Sequence, residues 1–306
     1  MTKVLVATEK PFASTALNGI RKIIGEAGFE FAALEKYTDP GDLLKAVSDA
    51  DALIIRSDLV TREVLEAGKN LKIVIRAGAG YDNIDLKAAT EKGIIVMNTP
   101  GQNANAVAEL ALAMMVYLAR GCFNGKSGTE LLGKSLGLHA YGHVGRRVAA
   151  IAKGFGMEVY AFDPYLKKED ITRDGVNYVE TAGDLYSRCQ YVSLHIPATP
   201  DTIRSINFTL LSKMPKGATL VNTARKEVID EESLMKIFSV RDDFRYIADV
   251  APDCAGEITK AFEGRYYFTP KKMGAQTAEA NNNAGIAAAN QIVNFIKKGD
   301  RTFQVN

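Results

Sequence analysis

Residues 135–147, SLGLHAYGHVGRR, carry the spacing Gly-x-Gly-x-x-Gly with alanine in its first place: Ala140, Gly142 and Gly145. In that pattern the first position permits a tight bend. The second lets backbone approach a pyrophosphate, and the third lets a helix pack on a strand. Alanine is the smallest substitute for the first glycine and serves if its φ stays negative. The flanks support a working site. The strand-like run SLGLHA comes before the turn, and the helix-like VGRRVAAIAKGFG follows with its positive end toward a phosphate; His143 and Val144 lie between the last two glycines. Asp163 closes the next strand-like run, MEVYAFD, where a carboxylate takes two ribose hydroxyls and repels a 2′-phosphate. The turn therefore reads as a dinucleotide site that favours NAD; Lys167 and Lys168 are the features that would tolerate NADP.

Hydride transfer to a nicotinamide also moves a proton, so an acid/base and an anchor for the substrate are required. Ligands in a doubly wound sheet lie beyond the carboxyl ends of strands. Arg225 follows ATLVNT, Asp249 lies in RYIADV, and Lys271 and Lys272 follow YYFTP. The fork of Arg225 suits a carboxylate or an α-keto acid. Histidine is the usual proton carrier, but the chain has only His139, His143 and His195, none in its last hundred residues. His195 in LHIPATP reads as a loop or cofactor-side residue. That leaves Lys271 or Lys272, although a Lys-Lys pair is otherwise an ordinary solvated turn. A lysine titrating near ~10.4 must fall by roughly three units, about 4 kcal/mol, to work near neutrality. Partial burial and neighbouring cations would both push it down.

The elements that must position these groups alternate. KVLVAT, FEFAALE, DALIIRS, LKIVIRAG and IIVMN are strand-like and separated by helical stretches, and a second alternation runs from SLGLHA to YYFTP. The reading is α/β, with two doubly wound parallel-sheet domains of Rossmann or flavodoxin-like type. Residues 1–98 with 285–306 would bind substrate, and 99–284 would bind the dinucleotide. ANAVAELALAMMVYLAR is apolar nearly all round and reads as a helix buried between two bodies. The small residues of TAEANNNAGIAAANQIVNFIKKG would let the last helix pack closely and return to the first domain.

At 306 residues, two cores are affordable. A net charge of +2 with scattered signs argues against nucleic acid and membrane partners. MTKVLVATEK has no signal-peptide core, which places the chain in the cytoplasm. Cys122, Cys189 and Cys254 are widely spaced and odd in number, as reduced thiols would be, and no metal is expected.

LKIVIRAGAGYDNIDLKAATEKGIIVMNTPG, NANAVAELALAMMVYLAR, VSLHIPATPDT, LVNTARKEVID and GAQTAEA resemble the D-2-hydroxyacid dehydrogenase family, nearest to its short, lysine-type D-3-phosphoglycerate dehydrogenase branch. The resemblance implies NAD-dependent oxidation of 3-phospho-D-glycerate to 3-phosphohydroxypyruvate, the entry to serine synthesis. Alternatives are a glyoxylate or hydroxypyruvate reductase, or an NAD-binding interaction protein with little turnover. By matching motif, Arg225 would hold the substrate carboxylate and carbonyl. Asp249 would lie by the nicotinamide, with Pro197 and Thr223 also on the cofactor side. The amides of Ala77, Gly78, Ala79 and Gly80 would meet the carboxylate, and Arg56, beside Ser57 and with Asn103, the phosphate.

Two motifs depart from the family. Its Pro-His-x-Gly reads Pro270-Lys271-Lys272-Met273-Gly274, one residue longer: aligned from the proline, Lys271 takes the histidine place, and aligned back from GAQTAEA, Lys272 does, which is favoured because the helix anchors that side. Its glutamate-proline pair is missing from DVAPDCAGEI, leaving Asp253 as the nearest acid and Glu257 farther on. A catalytic lysine needs no such acid, so the two losses agree. The resemblance further implies a homodimer joined through residues 100–121. It also implies no serine feedback, because the longer enzymes carry their serine-sensing domain beyond the last helix.

Overall fold

The computed structural model describes all 306 residues in two units, Met1–Asn103 with Gln276–Asn306, and Ala104–Ala275. The boundary expected at 284/285 falls inside one unbroken helix, Ala278–Lys298. Thr277 caps its start and Gly299 closes it in the left-handed region. The chain therefore crosses ahead of this helix, and the whole helix stays with the first unit. The earlier crossing comes after residues 99–103, at the start of helix Ala104–Ala119, rather than at 98.

The first unit is a five-stranded parallel sheet in the order β2-β1-β3-β4-β5. Its strands are β1 (Lys3–Thr8), β2 (Glu30–Glu35), β3 (Ala52–Ile55), β4 (Ile73–Arg76) and β5 (Ile95–Asn98). The runs ALII and IVI are buried on both faces, as helices on both sides of a parallel sheet require. On one face, helices Ser14–Glu26 and Ala278–Lys298 meet through glycines. A Cβ on Gly19 would run into Ile286, and one on Gly285 into Ile20 and Phe12, so the small residues do set this close packing.

The second unit orders its seven parallel strands β12-β11-β10-β9-β6-β7-β8. These are β6 (Ser135–His139), β7 (Glu158–Phe162), β8 (Asn177–Tyr178), β9 (Tyr191–Leu194), β10 (Thr219–Asn222), β11 (Arg245–Ala248) and β12 (Tyr266–Phe268). Strand order reverses between β1 and β3 in the first sheet and between β6 and β9 in the second. Ligands enter such sheets at those switch points. Helix Ala104–Ala119 buries Val107, Ala111, Met114 and Leu118 with their helical neighbours, and packs on helix His143–Gly154 within its own unit. It exposes Asn105, Glu109 and Ala113 at a spacing of four, so it is one-faced rather than covered all round. All three cysteines are unpaired, and no helix is long and apolar enough to cross a membrane.

Candidate active site

The glycine-rich turn lies directly after β6, and its two glycines stand in different surroundings. A Cβ on Gly142 would meet nothing, so the turn is open at the position expected to face a pyrophosphate. A Cβ on Gly145 would come within 2.6 Å of the Ala140 carbonyl oxygen, so only glycine allows the helix to sit this close to the strand. No side chain caps the helix that starts at His143, and its first turn is available to an anion. Ala140 departs from expectation: its φ is +82°, not negative. Three constraints force it there. Its N–H donates to Phe162 O at 2.9 Å, its carbonyl is pressed by Gly145, and the next amide, Tyr141 N–H, donates to Asp163 Oδ2 at 2.9 Å. A left-handed alanine costs about 1–2 kcal/mol, so the turn keeps the glycine geometry at some expense in stability.

Asp163, just past β7, also accepts Tyr165 N–H at 2.9 Å, and it stays half-buried. One carboxylate thus ties the turn to β7 while retaining lone pairs for ribose hydroxyls. Tyr141, which the sequence did not single out, braces the turn from below. It is buried, its hydroxyl donates to Asp174 at 3.1 Å, and the Arg146 guanidinium lies 4.6 Å from its ring centre.

His139 and His195 meet at the switch point, where His195 N–H donates to His139 O at 3.0 Å. Burial pushes the His139 imidazole down to about 4, opposed by the Asp163 charge. Burial first, then His139, pushes His195 down to about 3. The ring of His195 is only partly covered as a whole, but its Nε2 is enclosed and has no partner. Neither imidazole is a proton carrier near neutrality. Both are neutral when folded and charge when unfolded, so folding stability is full above about pH 6.5 and falls with pH through about 4. Urea unfolding should thus show a stability loss between pH 6.5 and 4.5 that is clearly smaller in His139→Leu. An unchanged slope in that variant would remove His139 as a cause.

Farther along the same edge, Thr223 follows β10 with its buried hydroxyl unpartnered. Buried polar atoms ordinarily have partners. The orphan Thr223 Oγ1 and His195 Nε2, with the open Gly142, fit a polar group bound along this edge. Pro197 and His143 are exposed beside it, and Val144 is half-buried. Arg225 is half-buried three residues past β10. Asn222 shapes its loop, accepting Ala224 N–H at 3.0 Å and donating Nδ2 to Arg225 O at 2.9 Å, and Arg225 Nη1 donates to Ala224 O at 3.0 Å.

Asp249, expected beside a nicotinamide, directly follows β11. It is 1% exposed, and its carboxylate accepts from Thr269 Oγ1, Met273 N–H and Gly274 N–H. Those donors belong to the segment after β12 that carries Lys271 and Lys272. The side chains of both lysines are exposed, so the partial burial expected to lower one of them is not supplied by the fold. Asp253 does not face this pair. It bonds Lys226 Nζ at 2.5 Å, while Glu231 accepts the amides of Asp253 and Cys254, and Glu257 is exposed.

The first unit places Arg56 at its own switch point. Arg56 Nη1 donates to Lys10 O at 3.0 Å and Pro11 O at 2.9 Å, Nη2 bonds Asn281 Oδ1, and the group stands 5.2 Å from the Phe12 ring centre. Burial lowers its pKa, and Asp58 opposes that. Of the four amides expected to face a carboxylate, two are already used: Ala77 N–H donates to Ile55 O and Gly78 N–H to Arg76 O, both at 2.8 Å. Ala79 and Gly80 remain as donors, both part-exposed. Arg76, absent from the sequence candidates, folds over this turn. Its Nε donates to Arg56 O at 3.1 Å, and a Cβ on Gly78 would overlap its guanidinium. Its place at the head of RAGAG was the available signal. Ser57 is exposed, and Asn103 is half-buried in the turn before residue 104.

The sequence matches the D-isomer specific 2-hydroxyacid dehydrogenase catalytic domain over residues 11–306. The chain belongs to that family. It is an NAD-dependent dehydrogenase. It is similar to a hydroxypyruvate reductase of Thermotoga maritima, 38% identical and covering 86% of this chain and 90% of that one. It is similar also to the D-3-phosphoglycerate dehydrogenase of Methanocaldococcus jannaschii, 36% identical over 84% of this chain but only 52% of that protein, so it spans about half the length of that relative. Among solved structures, NAD+-bound 3-phosphoglycerate dehydrogenase of Entamoeba histolytica is 46% identical, with a TM-score of 0.91 and coverage of 100% of this chain and 98% of that one.

Proposed function

We propose that this dehydrogenase oxidises 3-phospho-D-glycerate to 3-phosphohydroxypyruvate, as the first step of serine biosynthesis in the cytoplasm. The observation that carries the reading is the likeness to the Entamoeba histolytica enzyme across the whole chain. The Arg56 and Arg76 pair, beside the two unused amides of the RAGAG turn, agrees with a substrate that has a dianionic phosphate as well as a carboxylate.

NAD would supply the acceptor for the hydride leaving C2. The uncapped helix start at His143 and the open turn at Gly142 would hold its pyrophosphate, and Asp163 would hold its ribose. Arg225 binds the carboxylate and the C2 oxygen, and Lys272 takes the hydroxyl proton, with Lys271 as the alternative amine. The desolvation that lets an exposed amine act as a base must then come from ligand binding. A homodimer is proposed as well, supported by exposed Phe123, Leu132 and Phe155 near residues 100–121.

The similarity to the Thermotoga maritima protein favours a second reading, reduction of hydroxypyruvate. Arg56 discriminates between them. Arg56→Ala should lower kcat/KM for 3-phosphoglycerate about 10- to 100-fold, the effect of a lost charged hydrogen bond, and leave D-glycerate within about threefold. Equal losses on both substrates would favour the reductase.

A further inference from the structure

Asp249 is a carboxylate taken almost wholly out of water and satisfied by loop donors rather than by a cation. Met273 N–H and Gly274 N–H each reach it at 2.7 Å and Thr269 Oγ1 at 3.0 Å, and the same hydroxyl lies 2.8 Å from the Asp249 carbonyl. Burying a charge is tolerated only where such donors converge on it. Gly274 is what lets them converge: a Cβ there would stand 2.9 Å from Asp249 Oδ2 and 3.2 Å from Val107 Cγ2. The other end of Asp249 is fixed too. Its own N–H donates 2.9 Å to Asn222 O, and the Asn222 side chain shapes the Arg225 loop. A continuous set of hydrogen bonds thus joins the loop after β10 to the segment after β12.

We propose that Asp249 is a positioning residue: its carboxylate latches the Thr269–Gly274 segment and so fixes the lysine pair relative to Arg225. The inference rests on the reading that one of these lysines carries the substrate proton. Asp249 acts on the backbone of the segment and not on the reacting atoms. A displacement of about 1 Å at a reacting group can cost on the order of a hundredfold in rate.

The test uses Asp249→Asn, which keeps the shape but turns an NH2 toward one of the donor amides, together with Gly274→Ala and Thr269→Val. The two partner variants disturb the same latch without touching the carboxylate, and they carry the test if Asp249→Asn does not fold. Expected for Asp249→Asn is a kcat lowered about 10- to 100-fold, with KM for the hydroxy acid within about threefold. Amide exchange should speed up in peptides covering 269–276 and stay unchanged in β10. Gly274→Ala should show the same pattern, and the double variant should be no worse than the poorer single one. Unchanged exchange in 269–276, or a loss expressed in Kd for NADH alone, overturns the latch. If Lys272→Ala is crippled while the latch variants run at the normal rate, the latch is wrong and the lysine reading survives. If the segment loosens but neither lysine matters to turnover, the lysine reading fails and the hydrogen-bonded latch stands as a structural device only.

Discussion

Replacing Lys272 by alanine is expected to lower kcat by about 10²- to 10⁴-fold, the usual worth of a positioned general acid/base, while Lys271→Ala stays within about tenfold. The two residues differ in how they are held. Lys272 immediately precedes Met273 and Gly274, whose amides are bonded to the buried carboxylate of Asp249. Lys271 follows Pro270, one step farther from that anchor. A group that must meet a substrate oxygen at hydrogen-bond distance gains most from a fixed backbone. Oxidation needs the uncharged amine, so kcat/KM should fall as pH drops below the pKa of that amine, and this acidic limb should vanish in Lys272→Ala. Lys272→Arg keeps the charge but cannot give up its proton, so it should be as inactive as alanine. A pH–rate series on these three variants separates a proton carrier from a mere cation. Greater damage in Lys271→Ala would exchange the roles, and losses under tenfold in both would end the assignment.

The sheets were legible because parallel strands covered on both faces read as short apolar runs set between helical stretches. KVLVAT, IIVMN, ATLVNT and YYFTP all became strands where they were expected. The two-residue β8 was invisible because Asn177 and Tyr178 carry no apolar run; the pairing of Tyr160 with Asn177 and of Ala161 with Tyr178 makes that strand. Spacing marked the glycine-rich turn after β6, yet it could not give the φ of Ala140, which is set by contacts with Gly145, Phe162 and Asp163. Motif position singled out the charged candidates but not their partners. Asp253 looked like a spare acid until its bond to Lys226 was seen. The Met273 and Gly274 amides on the Asp249 carboxylate likewise have no mark in the sequence. Four amides in RAGAG read alike in sequence, and only the fold showed two of them engaged.

The second large effect belongs to Arg225. Arg225→Lys should lower kcat/KM about 10- to 100-fold even though the charge is kept, because a point charge on a flexible stem cannot reproduce a bidentate, planar grip on a carboxylate. Two hydrogen bonds to charged groups at about 1.5–3 kcal/mol each, partly replaced by one ammonium contact, give an effect of that size. The loop is built to hold the fork steady. Asn222 bonds the Ala224 amide and the Arg225 carbonyl, and one guanidinium nitrogen is tied to Ala224 O. Asn222→Ala should therefore move kcat/KM in the same direction by a smaller factor, through the loop alone. If Arg225 grips the carboxylate in both ground and transition states, KM rises. If it also polarises the C2 oxygen as charge develops there, kcat falls as well, and the proposed dual role requires both changes. A lysine variant within fivefold of the parent would show that charge alone suffices, and the bidentate assignment would have to be given up.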